Sequence, residues 1–177
     1  TAAGVSSVAV GDNADAQGDA SVAIGLDSQA VTNNSIAIGN SAVSDDTLTT
    51  AMGAYASASG VYATAIGANA DAYGFFSTAV GTYAVANNSS TAVGVAAIAT
   101  GSASTALGNG AFALGDSSSA IGTTSLATGA GANALGSNSD ATDDFATAVG
   151  FSALASNEFA TATGAYSVAS GLNSTAN

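Results

Sequence analysis

The chain of 177 residues contains no lysine, arginine, histidine, cysteine, proline or tryptophan, and twelve acidic residues give it a formal charge of −12 at pH 7. Without basic side chains it cannot displace counterions from phosphates, which excludes nonspecific nucleic-acid binding and disfavours anionic membrane surfaces. Without histidine and cysteine it lacks the usual near-neutral base, the thiolate nucleophile and the commonest metal ligands, which excludes most enzyme chemistry. With 47% apolar and 7% charged residues, the composition is nevertheless that of a folded protein.

The pattern x-Ala-x-Gly repeats along the chain. Its twelve glycines, here called the anchor glycines, are 14 residues apart in ten of eleven intervals and 13 apart between Gly81 and Gly94. A fixed spacing of this kind is the signature of stacked structural repeats. Positions below are counted from the anchor glycine of the same coil. The anchor glycines are Gly11, Gly25, Gly39, Gly53, Gly67, Gly81, Gly94, Gly108, Gly122, Gly136, Gly150 and Gly164.

Within each repeat, the side chains alternate with a period of two, which is typical of strands. In Ser21–Ile24, for example, Val22 and Ile24 face one way and Ala23 the other. Each coil is therefore predicted to contain two four-residue strands and two turns, with glycine favoured at both corners for its backbone freedom. Stacking about twelve such coils predicts an all-β fold, a flattened solenoid of two parallel sheets.

Residue size predicts which side of each strand faces inward. Alanine dominates positions −2, +3 and +5, and only small side chains fit between closely spaced sheets. The large aliphatics at position −1 then point outward, in a stripe larger than a soluble monomer usually exposes. Since full burial of one such side chain contributes about 2 kcal/mol, we expect an oligomer that shares this stripe. The interface candidates are Val10, Ile24, Ile38, Met52, Ile66, Val80, Val93, Leu107, Ile121, Leu135 and Val149.

Units such as Ser21–Gly25 and Ser35–Gly39, with their trailing Ala-x-Ala, resemble the head repeats of trimeric autotransporter adhesins of the YadA-like type over about residues 7–176. The resemblance implies a left-handed parallel β-roll, a homotrimer packed around an axis, and display on the surface of a Gram-negative bacterium. In that family the head is the adhesive tip, carried on a coiled-coil stalk and anchored in the outer membrane. We expect residues 1–177 to form one β-roll head, with no stalk, neck or membrane anchor among them.

A ladder of threonines at position −3 begins at Thr50 and supports a different interpretation. Regular threonine arrays on flat solenoids suggest binding to ice or to another crystal surface. Here, however, the ladder is one residue wide and shares its face with the aliphatic column assigned to the interface. The members are Thr50, Thr64, Thr78, Thr91 and Thr105, followed after an interruption by Thr147 and Thr161.

Aromatic residues gather at the corners of certain coils. Tyr62, Phe76, Phe145 and Phe159 all lie nine residues after an anchor glycine. Such rings could fold over the corner and pack, or they could anchor a ligand, because exposed aromatics contribute strongly to binding. Both interpretations stay open at this point. The adhesive-surface candidates are Tyr62, Tyr73, Phe75, Phe76, Phe145 and Phe159.

The coil at residues 82–93 is one residue short, at Asn87–Ser89. Because both strand columns are retained on either side, the deletion is expected to lie in the turn, as tolerated variation in length.

The acidic residues are interpreted as solvated turn charges. Asp140, Asp143 and Asp144 share one coil and Asp45 and Asp46 an equivalent turn, but no pair has the setting of two carboxylates facing each other across a sugar. The motifs of dedicated calcium sites are also absent, which leaves weak Ca²⁺ binding at the surface as an alternative. We expect no enzymatic activity, no cofactor and no dedicated metal site.

The sequence thus predicts a non-enzymatic, extracellular adhesin head that attaches bacteria to host matrix, cells or abiotic surfaces. Its expected partners are two further copies of the chain and a surface ligand such as an extracellular-matrix protein, with no nucleic acid and no membrane contact except through an anchor outside these residues. A partner that is not strongly anionic is expected from the charge of −12. The alternative is an ice-binding or other crystal-surface-binding β-solenoid. A fibre segment that cleaves carbohydrate is disfavoured by the missing cleft chemistry.

Overall fold

A computed structural model describes all residues, 1–177, and consists of strands and turns without any helix. No helix is therefore present that could cross a membrane. The chain divides into two compact units, residues 1–89 and residues 90–177. Each unit is a parallel β-solenoid, which confirms the all-β prediction. The single head domain expected over 1–177 stays a prediction, as do the handedness and the trimer.

Each unit contains a sheet of mainly three-residue strands, the odd sheet, and a sheet of two-residue strands, the even sheet. In the first unit the odd sheet consists of β1 (Val8–Val10), β3 (Val22–Ile24), β5 (Ile36–Ile38), β7 (Thr50–Met52), β9 (Thr64–Ile66) and β11 (Thr78–Val80). The even sheet of that unit consists of β2 (Asp15–Ala16), β4 (Gln29–Ala30), β6 (Val43–Ser44), β8 (Ser57–Ala58), β10 (Asp71–Ala72) and β12 (Val85–Ala86).

The second unit repeats this arrangement. Its odd sheet consists of β13 (Thr91–Val93), β15 (Thr105–Leu107), β17 (Ser119–Ile121), β19 (Asn133–Leu135), β21 (Thr147–Val149), β23 (Thr161–Thr163) and β25 (Thr175–Ala176). Its even sheet consists of β14 (Ile98–Ala99), β16 (Phe112–Ala113), β18 (Leu126–Ala127), β20 (Asp140–Ala141), β22 (Leu154–Ala155) and β24 (Val168–Ala169). The short coil keeps both strands beside it, β12 and β13, so the prediction that its missing residue falls in the turn is confirmed.

Neighbouring coils pair in register, so each sequence column becomes a row of identical positions along the sheet. In β3 and β5, for example, Ala23 lies opposite Ala37 and Ile24 opposite Ile38. The strands are shorter than the predicted four residues. The reason is that residues at positions −4 and +3 close turns: the amides of Ser21 and Ser28 donate to the carbonyls of Gly18 and Gly25, at 3.2 and 3.4 Å.

Both corners of each coil are built on residues with positive φ. The anchor glycines have φ between +110° and +145°, a region that is essentially restricted to glycine. Two residues later, and again at position +9, a left-handed residue follows, and the non-glycine ones have φ of 52–62°. At the second corner the expectation for glycine is wrong: Gly18 and Gly60 do not have positive φ, and the left-handed residue lies two positions later, at Ala20 and Tyr62.

The interior contains the predicted alanine columns and a further column that the sequence pattern did not reveal. Alanines at −2, +3 and +5 are fully buried in nearly every coil. Position −4 also points inward, and it holds serine, threonine or alanine. Most of its hydroxyls are hydrogen-bonded, as where Ser21 Oγ donates to the Gly18 carbonyl at 2.6 Å, which offsets the cost of burying a small polar side chain. The exception at this position is Ser118, whose buried Oγ has no partner.

One exception to the alanine pattern has a structural explanation in this interior. Ser44 replaces the alanine found at +5 in every other coil. Its hydroxyl lies 2.6 Å from the hydroxyl of Thr49, the only threonine among the fully buried residues. Thr49 in turn donates to the Asp46 carbonyl. The two unusual residues therefore form one buried hydrogen-bonded pair.

Candidate functional site

The outward face of the odd sheet carries the eleven interface candidates. All of them point away from the alanine interior and are at least partly exposed on the isolated chain. The exposed fraction of the residue is highest at Val10, at 55%, and is 36% at Ile24. In-register pairing places them in an aliphatic row in each unit, as Met52 lies opposite Ile66 and Val93 opposite Leu107. Each unit thus presents an apolar ridge along one face.

The threonine ladder lies on this same face, beside the aliphatic row. Thr64 and Thr78 are paired in register, next to the pair Ile66 and Val80. The ladder is therefore a single file of half-buried threonines, and no second file of threonines accompanies it. A surface that binds a crystal plane through threonine alone is not formed here.

The outward face of the even sheet differs between the two units, which the sequence analysis did not predict. Its position +4 is mainly polar in the first unit, with Asp15, Gln29, Ser57 and Asp71 among two valines. In the second unit the same position is apolar in every coil but one: Ile98, Phe112, Leu126, Leu154 and Val168. Two-residue strands leave only one outward side chain each, so alternation is too short to reveal such a face.

Asp140 interrupts this apolar row. It lies in register between Leu126 and Leu154 on the neighbouring strands, and partial burial raises the pKa of its carboxyl above the ordinary value. A raised folded-state pKa means that folding disfavours the ionised form. The charge therefore lowers stability at pH values above the folded-state pKa, and this penalty disappears below the unfolded-state value.

We expect Asp140→Asn to raise the thermal midpoint at pH 7 and to leave it unchanged at pH 3, where the native carboxyl is protonated in both states. Asp140→Leu, which completes the apolar row, should add about 1 kcal/mol through burial of apolar surface. Circular-dichroism melts at the two pH values measure both effects. A lower midpoint for Asp140→Asn at pH 7 would show that the carboxylate stabilises the fold.

The aromatic candidates at position +9 form two stacked pairs. Tyr62 and Phe76 have ring centroids 5.0 Å apart with an interplanar angle of 4°. Phe145 and Phe159 are equivalent, at 5.2 Å and 5°. All four rings are about half exposed, so they pack on each other along the corner while keeping accessible surface. Both of the interpretations left open from the sequence are compatible with this geometry.

Tyr73 and Phe75 lie close in sequence to Phe76 and are more than half exposed. Partial burial, and then a hydrogen bond and the charge of Asp71, raise the pKa of the Tyr73 hydroxyl. At the other corner a further aromatic contact, which was not among the candidates, joins Phe151 and Tyr166 edge to face at 5.3 Å. Position +1 carries no repeated aromatic, so the sequence gives no signal for this pair.

Several acidic side chains are structural rather than merely solvated. Asp19, Asp116 and Asp144 occupy position +8, and each accepts a hydrogen bond from a backbone amide of the preceding coil at 2.8 Å. The hydroxyl of Thr1, and then the amide of Gln17, lower the pKa of Asp15 by hydrogen bonding to its carboxylate. No three acidic side chains come together as a group that could hold a metal ion.

Neither unit contains an enclosed pocket. The surfaces available for recognition are therefore the outward faces of the sheets and the corners. The three features that stand out are the apolar ridge on the odd sheet of each unit, the apolar row on the even sheet of the second unit, and the stacked aromatic corners. All three are extended surfaces suited to macromolecular contact.

Comparison with known proteins identifies a family for the chain. No curated protein matches the chain. Among solved structures, the collagen-binding domain of the Yersinia adhesin YadA is similar, with 19% sequence identity over 98% of this chain and 80% of that chain and a TM-score of 0.43. The family model of the YadA head domain repeat matches residues 2–28, 16–42, 47–70, 87–111, 113–139, 127–153 and 155–177. Because these matches cover most of the sequence, the chain belongs to the YadA head domain repeat family.

Proposed function

We propose that this chain is a non-enzymatic adhesin head that acts as a homotrimer on the bacterial cell surface and attaches the cell to extracellular-matrix proteins. The observation that carries the proposal is the run of YadA head repeats over most of the chain. In this proposal the head is a left-handed β-roll, displayed outside the cell and held by an outer-membrane anchor elsewhere in the protein.

The exposed apolar ridge supports assembly of several chains. An interior of alanine and small hydroxyl side chains buries little apolar surface per residue, whereas seven of the eleven outward aliphatics leave more than a third of their surface in water, with Val10 at 55% and Ile66 at 38%. Burying such side chains between chains contributes up to about 2 kcal/mol each. The ridge therefore fits a shared core better than a free surface. A trimer would also present three identical binding surfaces together, which increases avidity.

The charge limits the chemistry of the partner. The chain carries twelve carboxylate side chains and no basic side chain to compensate them. A matrix protein with cationic or neutral contact surfaces fits this surface, and a strongly anionic polymer does not. Ice binding is not proposed, because the threonine file shares its face with the apolar ridge.

We expect the intact protein to bind at least one immobilised matrix protein, such as collagen or fibronectin, and not serum albumin. The signal should fall as salt rises from about 0.05 to 0.5 M, because exposed charges more than about 10 Å apart are screened at 0.1 M. Surface plasmon resonance at several salt concentrations measures both the choice of binding partner and the dependence of binding on salt. If no matrix protein is bound above the albumin level, the proposed adhesin function is contradicted. If binding does not change with salt, the proposed electrostatic contribution to binding is contradicted.

A further inference from the structure

Two turns of the second unit, residues 142–145 and 156–159, form what is here called the acidic aromatic corner. Phe145 and Phe159 are stacked at its apex and remain 54% and 47% exposed. The Phe145 ring also lies against Gly131 in the preceding coil, where an added Cβ would be 3.0 Å from Phe145 Cδ1. One face of the Phe159 ring is thus covered by Phe145, while the pair as a whole stays accessible to solvent.

Both phenylalanines have left-handed backbones, with φ of 56°. This conformation is unfavourable for a bulky residue, whereas asparagine adopts it more readily. Asparagine occupies the same corner position in other coils, at Asn34 and Asn173, with φ of 57° and 55°. The backbone of the corner therefore does not require an aromatic side chain, and substitution by asparagine is compatible with the fold.

Three carboxylate residues precede these phenylalanines in the same two turns, with no basic side chain anywhere in the chain. Asp143 and Asp144 precede Phe145, and Glu158 precedes Phe159. One oxygen of Asp144 accepts the Ala130 amide at 2.8 Å and one oxygen of Asp143 accepts the Asp144 amide at 2.9 Å. The Glu158 carboxylate accepts no hydrogen bond within the chain. Carboxylates with free acceptor capacity therefore occupy the same two turns as the exposed aromatic surface.

We propose that the acidic aromatic corner docks a cationic peptide segment, one that carries arginine or lysine, in the partner to which the head attaches. The proposal rests on the proposed adhesin function and names the chemistry of its contact. The occupant follows from charge complementarity: a guanidinium packs against the exposed surface of an aromatic ring and donates hydrogen bonds to carboxylates at the same time. Phe159 supplies the ring, and Glu158 and Asp143 supply the acceptors.

The first unit contains a matched control for this surface. Tyr62 and Phe76 stack with nearly the same geometry at the same corner position and are also half exposed or more. The residues directly before them, Gly60–Val61 and Gly74–Phe75, carry no charge. The one acidic residue in an equivalent place is Asp46, at position +7 of the coil before Tyr62, so this pair has one carboxylate where the acidic aromatic corner has three. It is therefore expected to bind a cationic peptide more weakly.

The test uses fluorescence anisotropy with the intact chain and a labelled nine-residue peptide of alternating glycine and arginine, with a glycine–glutamine peptide as the neutral control. The double variant Phe145→Asn with Phe159→Asn, and separately Asp143→Asn with Glu158→Gln, should each weaken binding of the arginine peptide about tenfold. The double variant Tyr62→Asn with Phe76→Asn should bind within about twofold of the natural chain. Asp144 is left intact because it holds the Ala130 amide.

Equal binding by all variants would overturn the proposal, since it would show attraction to the overall charge of the chain only. Absence of binding by the natural chain would also overturn it. If the phenylalanine variant proves unstable in a melt, the carboxylate variant, which changes charge without changing shape, decides between the outcomes. If the natural chain binds a matrix protein but not the arginine peptide, the proposed docking surface is wrong and the adhesin function is unaffected. If it binds the peptide at the corner but no matrix protein, only the adhesin function is contradicted.

Discussion

Gly53→Ala is expected to destabilise the first unit by about 4 kcal/mol or more, which is a large part of the stability of a typical domain. The backbone at Gly53 has φ of +139°, a conformation that residues with a side chain rarely adopt. In addition, an added Cβ would lie 2.4 Å from the carbonyl oxygen of Gly67 in the next coil. Relief of that overlap requires the two coils to separate, which breaks the in-register ladder. Urea denaturation followed by circular dichroism measures the loss.

The matched control is Gly110→Ala, in the second unit. Gly110 also has positive φ, +60°, but an added Cβ would meet only the Thr124 Cγ2 atom, at 3.6 Å. Its cost is therefore limited to the left-handed conformation, about 1 kcal/mol. Similar losses for the two variants would show that the close approach of the coils at the anchor glycines does not matter for stability.

Ile66→Asp is expected to dissociate the proposed trimer. Ile66 lies in the middle of the aliphatic row of the first unit, between Met52 and Val80, and is 38% exposed on the isolated chain. A carboxylate buried there in a trimer would appear in three copies without any cation, at a cost of several kcal/mol. Light scattering should show a single-chain mass, or circular dichroism should show loss of strand signal if the separated chains do not fold.

Val43→Asp is the control for this substitution. Val43 is also an outward valine of the first unit, but it lies on the even sheet between Gln29 and Ser57, in a row where Asp15 and Asp71 already occur. Its mass in solution should equal that of the natural protein. A trimer of unchanged melting temperature with Ile66→Asp would refute the assignment of the ridge, and dissociation by Val43→Asp would move the interface to the other sheet.

The sequence predicted the sheets well because, within each unit, the 14-residue spacing leaves one register in which each anchor glycine lies over the next. Once that register is set, alternation around residues such as Ala23 and Ile24 determines which side chains face inward. The burial of position −4 was not predicted, for a physical reason. Ser21 is polar and resembles a surface residue in sequence, and it can be buried only because its hydroxyl donates a hydrogen bond to the Gly18 carbonyl.

The candidate surfaces were predicted less completely. The ridge follows from residue size at one position, whereas the apolar even face of the second unit depends on single residues such as Leu126 and Leu154 in two-residue strands. The stacking of Phe145 on Phe159 depends on how far one coil rises above the next, and 14-residue spacing alone does not determine ring orientation. The left-handed backbone conformation at the corners could not be predicted from the sequence either, because tyrosine and phenylalanine occur at these positions as well as asparagine.

We propose that copies of the chain share the apolar ridge, and that this assembly makes the adhesin head multivalent. Multi-angle light scattering of the intact protein during size-exclusion chromatography tests it directly. We expect a mass three times that of the single 16.4 kDa chain, unchanged on dilution to micromolar concentration. A mass of 16.4 kDa for a folded, strand-rich protein would contradict it.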